Sequence, residues 1–465
     1  MREYNIKTGP VTFLDIMELR IEEEVNRHGR AVLSGYITDE QEEEYLGLLT
    51  GNVWESVQAV GKNGETRILF IGIVTDFSIS RINDQRKLTL ELMTGSCLMD
   101  EKTHLRSYQN MSVTYEEIFK EIMKGYADAA VSFSKPYGKK TGELVLQYAE
   151  TDWTFLKRLA SRSHQFLVPD SQRKGVRIYY SMPQGEPFEI PEGSRYSMRK
   201  DLSAFRNKTG QNMAVSEADC MEYIIQCRES HRIGDYTSLY GKRYYIYQIK
   251  SRYEGGELLH CCCLKREKGI EVPECYNEVI AGCALSAKVT KVREDKVQVS
   301  IVGDENARQD NNVEYPYATV YSTPDGTGWY CMPEPGDTVR LSVPQKAERD
   351  AFVVSSVHMD TNSADRKNPS HKVFKSKYQK EVRFTPDSIV ITNNKGTRIE
   401  LTDKEGIHIV SEHSVMLEAA EDLTISSDTG SLIVSGDSFV NFRQKGTSIQ
   451  LDDEISFVGG NLKIQ

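Results

Sequence analysis

From Ile389 to the end of the chain, apolar residues come in pairs with one residue between them. The ten pairs are Ile389/Ile391, Ile399/Leu401, Ile407/Ile409, Val415/Leu417, Leu423/Ile425, Leu432/Val434, Val440/Phe442, Ile449/Leu451, Ile455/Phe457 and Leu462/Ile464. An i, i+2 spacing sends both members of a pair to one face of a strand. The residue between is usually polar, as with Glu400, His408, Thr424, Asn441, Gln450, Ser456 and Lys463. Turn residues separate the pairs, as in Asn393-Asn394-Lys395-Gly396, Asp428-Thr429-Gly430 and Gln444-Lys445-Gly446. From Ile399 the pairs recur three times at eight residues, then at nine, eight and nine. This is a short-period β repeat.

The period limits the fold. About five extended residues span only ~17 Å and offer two apolar side chains to a core, so one strand cannot hide them alone. One solution is an antiparallel meander packed on another sheet, but no second all-β partner of matching length is evident upstream. The other is a β-prism in which three chains each supply one wall per layer. Ten strands per chain, stacked ~4.8 Å apart, give a needle ~50 Å long. Its expected core is Ile399, Leu401, Ile407, Ile409, Val415, Leu417, Leu423, Ile425, Leu432, Val434, Val440 and Phe442.

The chain has 465 residues, enough for three or four domains, with 27% charged and 39% hydrophobic residues. A net charge of −10 gives no basic footprint for gripping nucleic acid, and no nucleic-acid partner is expected. No run of about eighteen apolar residues exists to form a transmembrane helix. Met1 to Asn5 lack an apolar signal segment, so cytoplasmic residence is the expectation. Nine cysteines without a signal favour free thiols. Successive residues of His260-Cys261-Cys262-Cys263 point to opposite faces of a strand and cannot share one tetrahedral ion. No metal and no cofactor are expected.

To about Gly95 the chain reads as β, with strand candidates at residues 31–37, 54–60, 67–74 and 87–92. A closed small barrel is the expectation. Asn63-Gly64 between two strands is a hairpin turn rather than part of a phosphate loop. Two helices follow. Thr114 with Glu117 is a capping box, leading a stripe of Tyr115, Ile118, Phe119, Ile122, Met123 and Tyr126. The second helix is expected over residues 152–162, with Trp153, Leu156, Leu159 and Ala160 on one side. Residues 176–264 return to strands. Cys283 to His358 suits a five-strand OB-type barrel, and residues 361–380 read as a basic linker.

Two stretches carry a family resemblance. Gln147-Tyr148-Ala149-Glu150-Thr151-Asp152-Trp153-Thr154-Phe155-Leu156-Lys157-Arg158-Leu159-Ala160 resembles the signature of the VgrG and phage late control protein D family. Gly328-Trp329-Tyr330-Cys331-Met332-Pro333-Glu334-Pro335-Gly336-Asp337-Thr338-Val339 resembles that family's OB-domain motif. The resemblance implies a homotrimeric hub and spike at the tip of a contractile tail, with two hub barrels per chain forming a pseudo-sixfold ring on the tail tube. The expected class is therefore mainly β with α+β insertions: hub β-barrels, an OB-fold barrel and a C-terminal trimeric β-prism or β-helix needle. The expected boundaries are a first hub barrel at 1–95, an α+β connecting region at 96–200 and a second hub barrel region at 201–280. An OB-fold domain at 281–360, a linker at 361–381 and a β-repeat needle at 382–465 complete the chain.

This sequence also departs from the family pattern. Pro344-Gln345-Lys346-Ala347-Glu348-Arg349-Asp350 lacks the Gly-Asp and Pro usual at this place. No fused effector is expected after the needle. The tip has no His-x-His pair, since His408 and His413 lie mid-needle, so no iron-bound tip is expected. The implied partners are tail tube and baseplate proteins, secreted effectors, and a PAAR-type cap seated at Gly459, Gly460, Asn461 and Ile464, with transient contact with the target envelope. Assembly is expected in the cytoplasm, in the baseplate of a contractile particle, with delivery outside the cell or into the target. Two alternatives compete: a tail-associated cell-wall hydrolase using Glu150 and Asp152 as a carboxylate pair, and a receptor-binding tail fibre. Against the first, acidic residues opening a helix favour its dipole, and no catalytic residue is expected. Against the second, hub motifs have no place in a fibre.

Overall fold

The computed structural model describes residues 4–461 except 63, 192, 308, 359, 360 and 459. The chain divides into two compact units, residues 1–359 and 360–465, described here separately. Strands take 42% of the residues and helices 14%, so the mainly-β class with helical insertions holds.

The first unit begins with β1 (Tyr4–Gly9), β2 (Asp15–Glu24), β3 (Arg30–Ile37), helix α1 (Asp39–Leu48), β4 (Trp54–Gly61), β5 (Thr66–Ile82) and β6 (Gln85–Met93). Their alternation buries Leu19, Leu33, Val57, Phe70, Leu88 and Leu90 in one core. The helical middle holds β7 (Thr103–Tyr108), α2 (Tyr115–Met123), β8 (Ala130–Phe133), β9 (Val145–Thr151), α3 (Asp152–Ser161), β10 (Leu167–Pro169) and β11 (Arg177–Tyr180). Then come β12 (Tyr196–Lys200), α4 (Leu202–Gly210), β13 (Met221–Cys227), β14 (Tyr236–Leu239), β15 (Lys242–Glu254), β16 (Glu257–Lys265) and the single-turn α5 (Glu267–Ile270).

The first ninety-odd residues do not close on themselves as expected. Their strands form half of one eleven-stranded sheet in the order β1-β4-β5-β6-β3-β2-β15-β16-β13-β12, with β14 pairing β15. The physical reason lies in β2. Its second edge is taken by β15, from Gln248 opposite Glu24 to Glu254 opposite Glu18, so β1 has no strand to close against. The pairing joins parts of the chain more than two hundred residues apart.

The two expected helices form. Thr114 caps α2: the Glu117 amide donates to Thr114 Oγ1 at 3.2 Å and the Thr114 amide donates to Glu117 Oε2 at 2.7 Å. Tyr115, Ile118, Phe119, Ile122 and Met123 are buried, packed against Trp153, Leu156, Leu159 and Ala160 of α3.

The first unit ends in a closed barrel of β17 (Cys283–Arg293), β18 (Lys296–Ile301), β19 (Tyr315–Ala318), β20 (Thr338–Val343) and β21 (Phe352–Val354), ordered β17-β18-β19-β21-β20. Val297, Val299, Ile301, Val339, Leu341, Val343 and Val353 fill it.

The second unit contains an antiparallel sheet of β22 (Lys372–Lys375), β23 (Glu381–Phe384), β24 (Ser388–Thr392), β25 (Arg398–Thr402) and β26 (Gly406–Val410). A three-stranded sheet of β27 (Val440–Gln444), β28 (Thr447–Leu451) and β29 (Ile455–Val458) follows. Residues 411–439 contain no strand within this chain.

Candidate functional site

The family-like stretch at residues 147–160 spans the end of β9 and nearly all of α3. Alternation alone would put Ala149 on the face of Gln147 and Glu150 on that of Leu146 and Tyr148. A β-bulge reverses this: His104 pairs with Glu150 and Leu105 with Tyr148, leaving Ala149 unpaired at φ 50°. Glu150 therefore turns inward and is buried beside Gln147. Thr151 then caps α3, accepting from the Thr154 amide at 3.2 Å.

The inward turn delivers Glu150 to Arg158, two helical turns along α3. Arg158 grips it with both edges, Nε to Oε1 at 2.9 Å and Nη2 to Oε2 at 2.8 Å. It also donates from Nη2 to the Leu146 carbonyl at 2.8 Å and from Nη1 to Glu348 Oε1 at 2.7 Å. Glu348 lies between β20 and β21, so this bond ties the helix to the closed barrel. The other Glu348 oxygen accepts from Arg162 Nη2 at 2.8 Å, while Arg162 Nη1 donates to Glu143 and to the Tyr115 hydroxyl. The Arg158 and Glu348 side chains are only 3% and 2% exposed. Burial alone would lower the Arg158 pKa, but Glu348 and Glu150 outweigh it and raise it. A buried charge needs such saturation, because an unpaired one is strongly unfavourable.

A second cluster repeats the arrangement one turn away. Asp152 accepts from Arg106 Nη1 at 2.6 Å, Tyr126 Oη at 2.7 Å and Gln147 Nε2 at 2.9 Å. Arg106 reaches on to Glu305 at 3.0 Å, and His104 Nδ1 lies 2.9 Å from the same carboxylate. Nearby, the Ser107 amide donates to Asp304 Oδ1 at 2.9 Å and the Met111 amide to Asn312 Oδ1 at 2.8 Å. Asp304, Glu305 and Asn312 all lie between β18 and β19 of the barrel. The carboxylates of Glu150 and Asp152 are thus each held by a guanidinium, and through Arg158 to Glu348 and Arg106 to Glu305 they link α3 and β9 to the barrel.

The second family-like stretch, residues 328–339, leads from an exposed turn into β20. Gly328 sits at φ +125°, where an added Cβ would lie 2.4 Å from the Tyr321 carbonyl oxygen, so glycine is required. Trp329 and Tyr330 are displayed on the surface.

The twelve expected needle residues are brought together only in part. Ile399 faces Ile409 and Leu401 faces Ile407 across β25 and β26, while on β24 Ile391 lies opposite Ile399 and Ile389 opposite Leu401. Val440 faces Leu451 and Phe442 faces Ile449. Each sheet therefore gathers its apolar pairs on one face. Val415, Leu417, Leu423, Ile425, Leu432 and Val434 fall in residues 411–439 and pair with no strand of this chain. Of the expected cap contacts, Gly460 and Asn461 lie outside any strand, while Gly459 and Ile464 are outside the described residues.

Residues 49–173 match the family described as phage tail baseplate hub (GPD), a span that includes α2, α3 and the bulged β9. No curated protein sequence matches the chain. Among solved structures, it is similar to the E. coli c3393 protein, described as a type VI secretion system component with structural similarity to T4 bacteriophage tail proteins gp27 and gp5. The TM-score is 0.53 at 14% identity, over 75% of this chain and 99% of that one. It is also similar to a chain of the lidded Francisella PdpA-VgrG complex, with a TM-score of 0.55 at 10% identity, over 88% of this chain and 80% of that one.

The ion-pair account predicts that Arg158→Met loosens α3 from the barrel, because Glu150 and Glu348 are left buried without their cation. The expected cost is about 3–5 kcal/mol, read as faster hydrogen exchange in α3 and in residues 344–354. Arg349→Met, one position from Glu348 but exposed, should change exchange little. Unaltered protection in Arg158→Met would contradict the account. The central residues 49–173 thus match the phage tail baseplate hub (GPD) family, and the fold over most of the chain is similar to those of the two solved structures.

Proposed function

We propose that the chain is one third of a central spike, a homotrimeric hub and needle in a contractile injection system or phage-like tail baseplate. In this reading the closed barrel is an OB-fold domain, and the large sheet supplies the two hub regions at 1–95 and 201–280. The region at 96–200 connects them, residues 361–381 are the linker, and residues 382–465 form the needle. Sheath contraction drives the spike through the target envelope. Assembly takes place in the cytoplasm on tube and baseplate partners, and firing delivers the spike outside the cell or into the target.

The observation that carries the reading is the unsatisfied apolar face of the second unit. The six pair members from Val415 to Val434 are each 58–65% exposed in the single chain. A soluble protein rarely leaves so long a row of apolar side chains in water. Two further copies supply what is missing: strand partners for residues 411–439, and two more apolar walls facing a common axis. Full burial of each Ile or Leu would contribute about 1.5–3 kcal/mol. The hydrolase alternative is disfavoured because Glu150 and Asp152 are already held in ion pairs.

Ile425→Asp tests the register. It places three carboxylates near one axis, where burial and mutual repulsion oppose ionisation. The expected result is a folded first unit with a protease-sensitive second one. Thr424→Asp, one position along and facing outward, should be tolerated. Equal sensitivity of the two variants, or a worse result for Thr424→Asp, would show the inward face to be wrongly assigned.

The segment holding Gly459, Gly460, Asn461 and Ile464 is the proposed seat for a small conical cap of the PAAR type, with secreted effectors as further cargo. A chain ending at Asp453, which lacks Gly459, Gly460, Asn461 and Ile464, should fail to capture such a cap in a pull-down. Capture equal to that by the full chain would exclude this seat.

A further inference from the structure

In the large sheet, β13 and β16 run antiparallel with Cys227 opposite His260 and Ile225 opposite Cys262. Opposed residues, and alternate residues along a strand, share a face. Cys227, His260 and Cys262 therefore lie on one side of the sheet, with Cys227 Sγ 3.9 Å from Cys262 Sγ. The two thiols differ in access. Cys262 is fully buried in a core with Ile225, Tyr244 and Ile246. Cys227 is half-buried and lines a cavity of about 470 Å³ together with Phe188 and His231.

His231 is held in place from two sides. Its ring lies 4.3 Å from that of Phe188, and its Nδ1 is 3.8 Å from Asp235 Oδ2. Asp235 is itself fixed by accepting from the Glu186 and Arg232 amides, each at 2.9 Å. Around Cys227 stand His231 and Glu229 from the following loop, and Cys262 and His260 from β16. Glu189, Arg195, Arg228 and Glu257 complete the charges lining the cavity. The hydrogen bond with Cys262 draws the Cys227 thiol down to about 6, and His231 adds to this against the effect of burial. Burial would lower His231, but contact with Cys227, and then Asp235, raises it. Cys262 is held up by Cys227 and by burial. The arrangement sets an accessible thiol of lowered pKa beside an imidazole of raised pKa, with a buried thiol of raised pKa behind it.

We propose that Cys227 is a reactive thiol site for small disulfides, with Cys262 as its resolving partner. The Cys227 thiolate attacks one sulfur of R–S–S–R. That S–S bond breaks, R–S⁻ leaves and takes a proton from solvent, and Cys227 is left in a mixed disulfide. Cys262 then gives its proton to solvent, attacks the Cys227 sulfur and expels the second R–S⁻, which is protonated in turn. The two cysteines lose two electrons, the small disulfide gains them, and two R–SH are released. Cys227 and Cys262 are diagonal rather than directly opposed, so the bond between them is strained and easily reduced again.

Accessibility alone favours other sites, because Cys275 and Cys331 are the exposed cysteines among the described residues. This makes the proposal testable on the full-length protein with dithiodipyridine as the disulfide. At about pH 6.5, peptide mapping should show Cys227 modified roughly tenfold faster than Cys275 or Cys331. The larger thiolate fraction is partly offset by the lower nucleophilicity of a low-pKa thiol. Cys227 should then release two equivalents of thiopyridone and form a Cys227–Cys262 disulfide that dithiothreitol reverses. Cys262→Ser should stop at the mixed disulfide with one equivalent released at Cys227. His231→Gln should slow the reaction at about pH 6.5 and much less at about pH 8.5, where an ordinary thiol is also substantially ionised. Faster labelling of Cys275 or Cys331 would overturn the proposal without any variant. Two equivalents released at Cys227 in Cys262→Ser would remove the resolving role.

Discussion

The Arg158 guanidinium is the point on which the first unit depends. It lies buried between a carboxylate of its own segment, Glu150, and a carboxylate of the barrel, Glu348. Burying three charged groups is costly, and the cost is offset only when every hydrogen bond is made. That requirement fixes geometry more sharply than apolar contact does. A hydrophobic interface between α3 and the barrel could slide, whereas a two-edged guanidinium clamp cannot. The second cluster, around Asp152, Arg106 and Glu305, adds another fixed point on the same barrel. Together they pin helix and bulged strand to the barrel at two separate points.

Much of this fold is legible in the sequence, and the exceptions share a cause. The capping box of Thr114 and the stripe behind it give α2, because local hydrogen bonds and a 3.6-residue period act within one segment. The same holds for α3, while the barrel strands show through their period-2 alternation. The β2–β15 seam is not legible, since it pairs residues more than two hundred apart and period-2 alternation says nothing about partners. Helix α1 is hidden for a different reason. Its sequence, Asp39-Glu40-Gln41-Glu42-Glu43-Glu44-Tyr45, has no apolar stripe and buries only Tyr45. The motif's chemistry is half legible. Glu150 and Asp152 stand out in the sequence as a carboxylate pair, but their guanidinium partners and Glu348 do not. It lies in the stretch from Pro344 to Asp350 that departs from the family pattern, and the departure itself supplies the clamp's second carboxylate.

The second unit poses the opposite problem. Its pattern is the clearest in the chain, yet one chain does not satisfy it. Within the two short sheets, register gathers the apolar pairs on one face, as the i, i+2 spacing requires. Across residues 411–439 the same spacing continues without an intrachain ladder. A repeat that keeps its period where its own strands stop points to partners carrying the same repeat. Copies of this chain meet that condition by symmetry.

Light scattering behind size exclusion on the full-length protein tests this claim most directly. The account predicts a single species with three times the 52.8 kDa mass of one chain. A stable, soluble monomer with residues 388–458 ordered would contradict it.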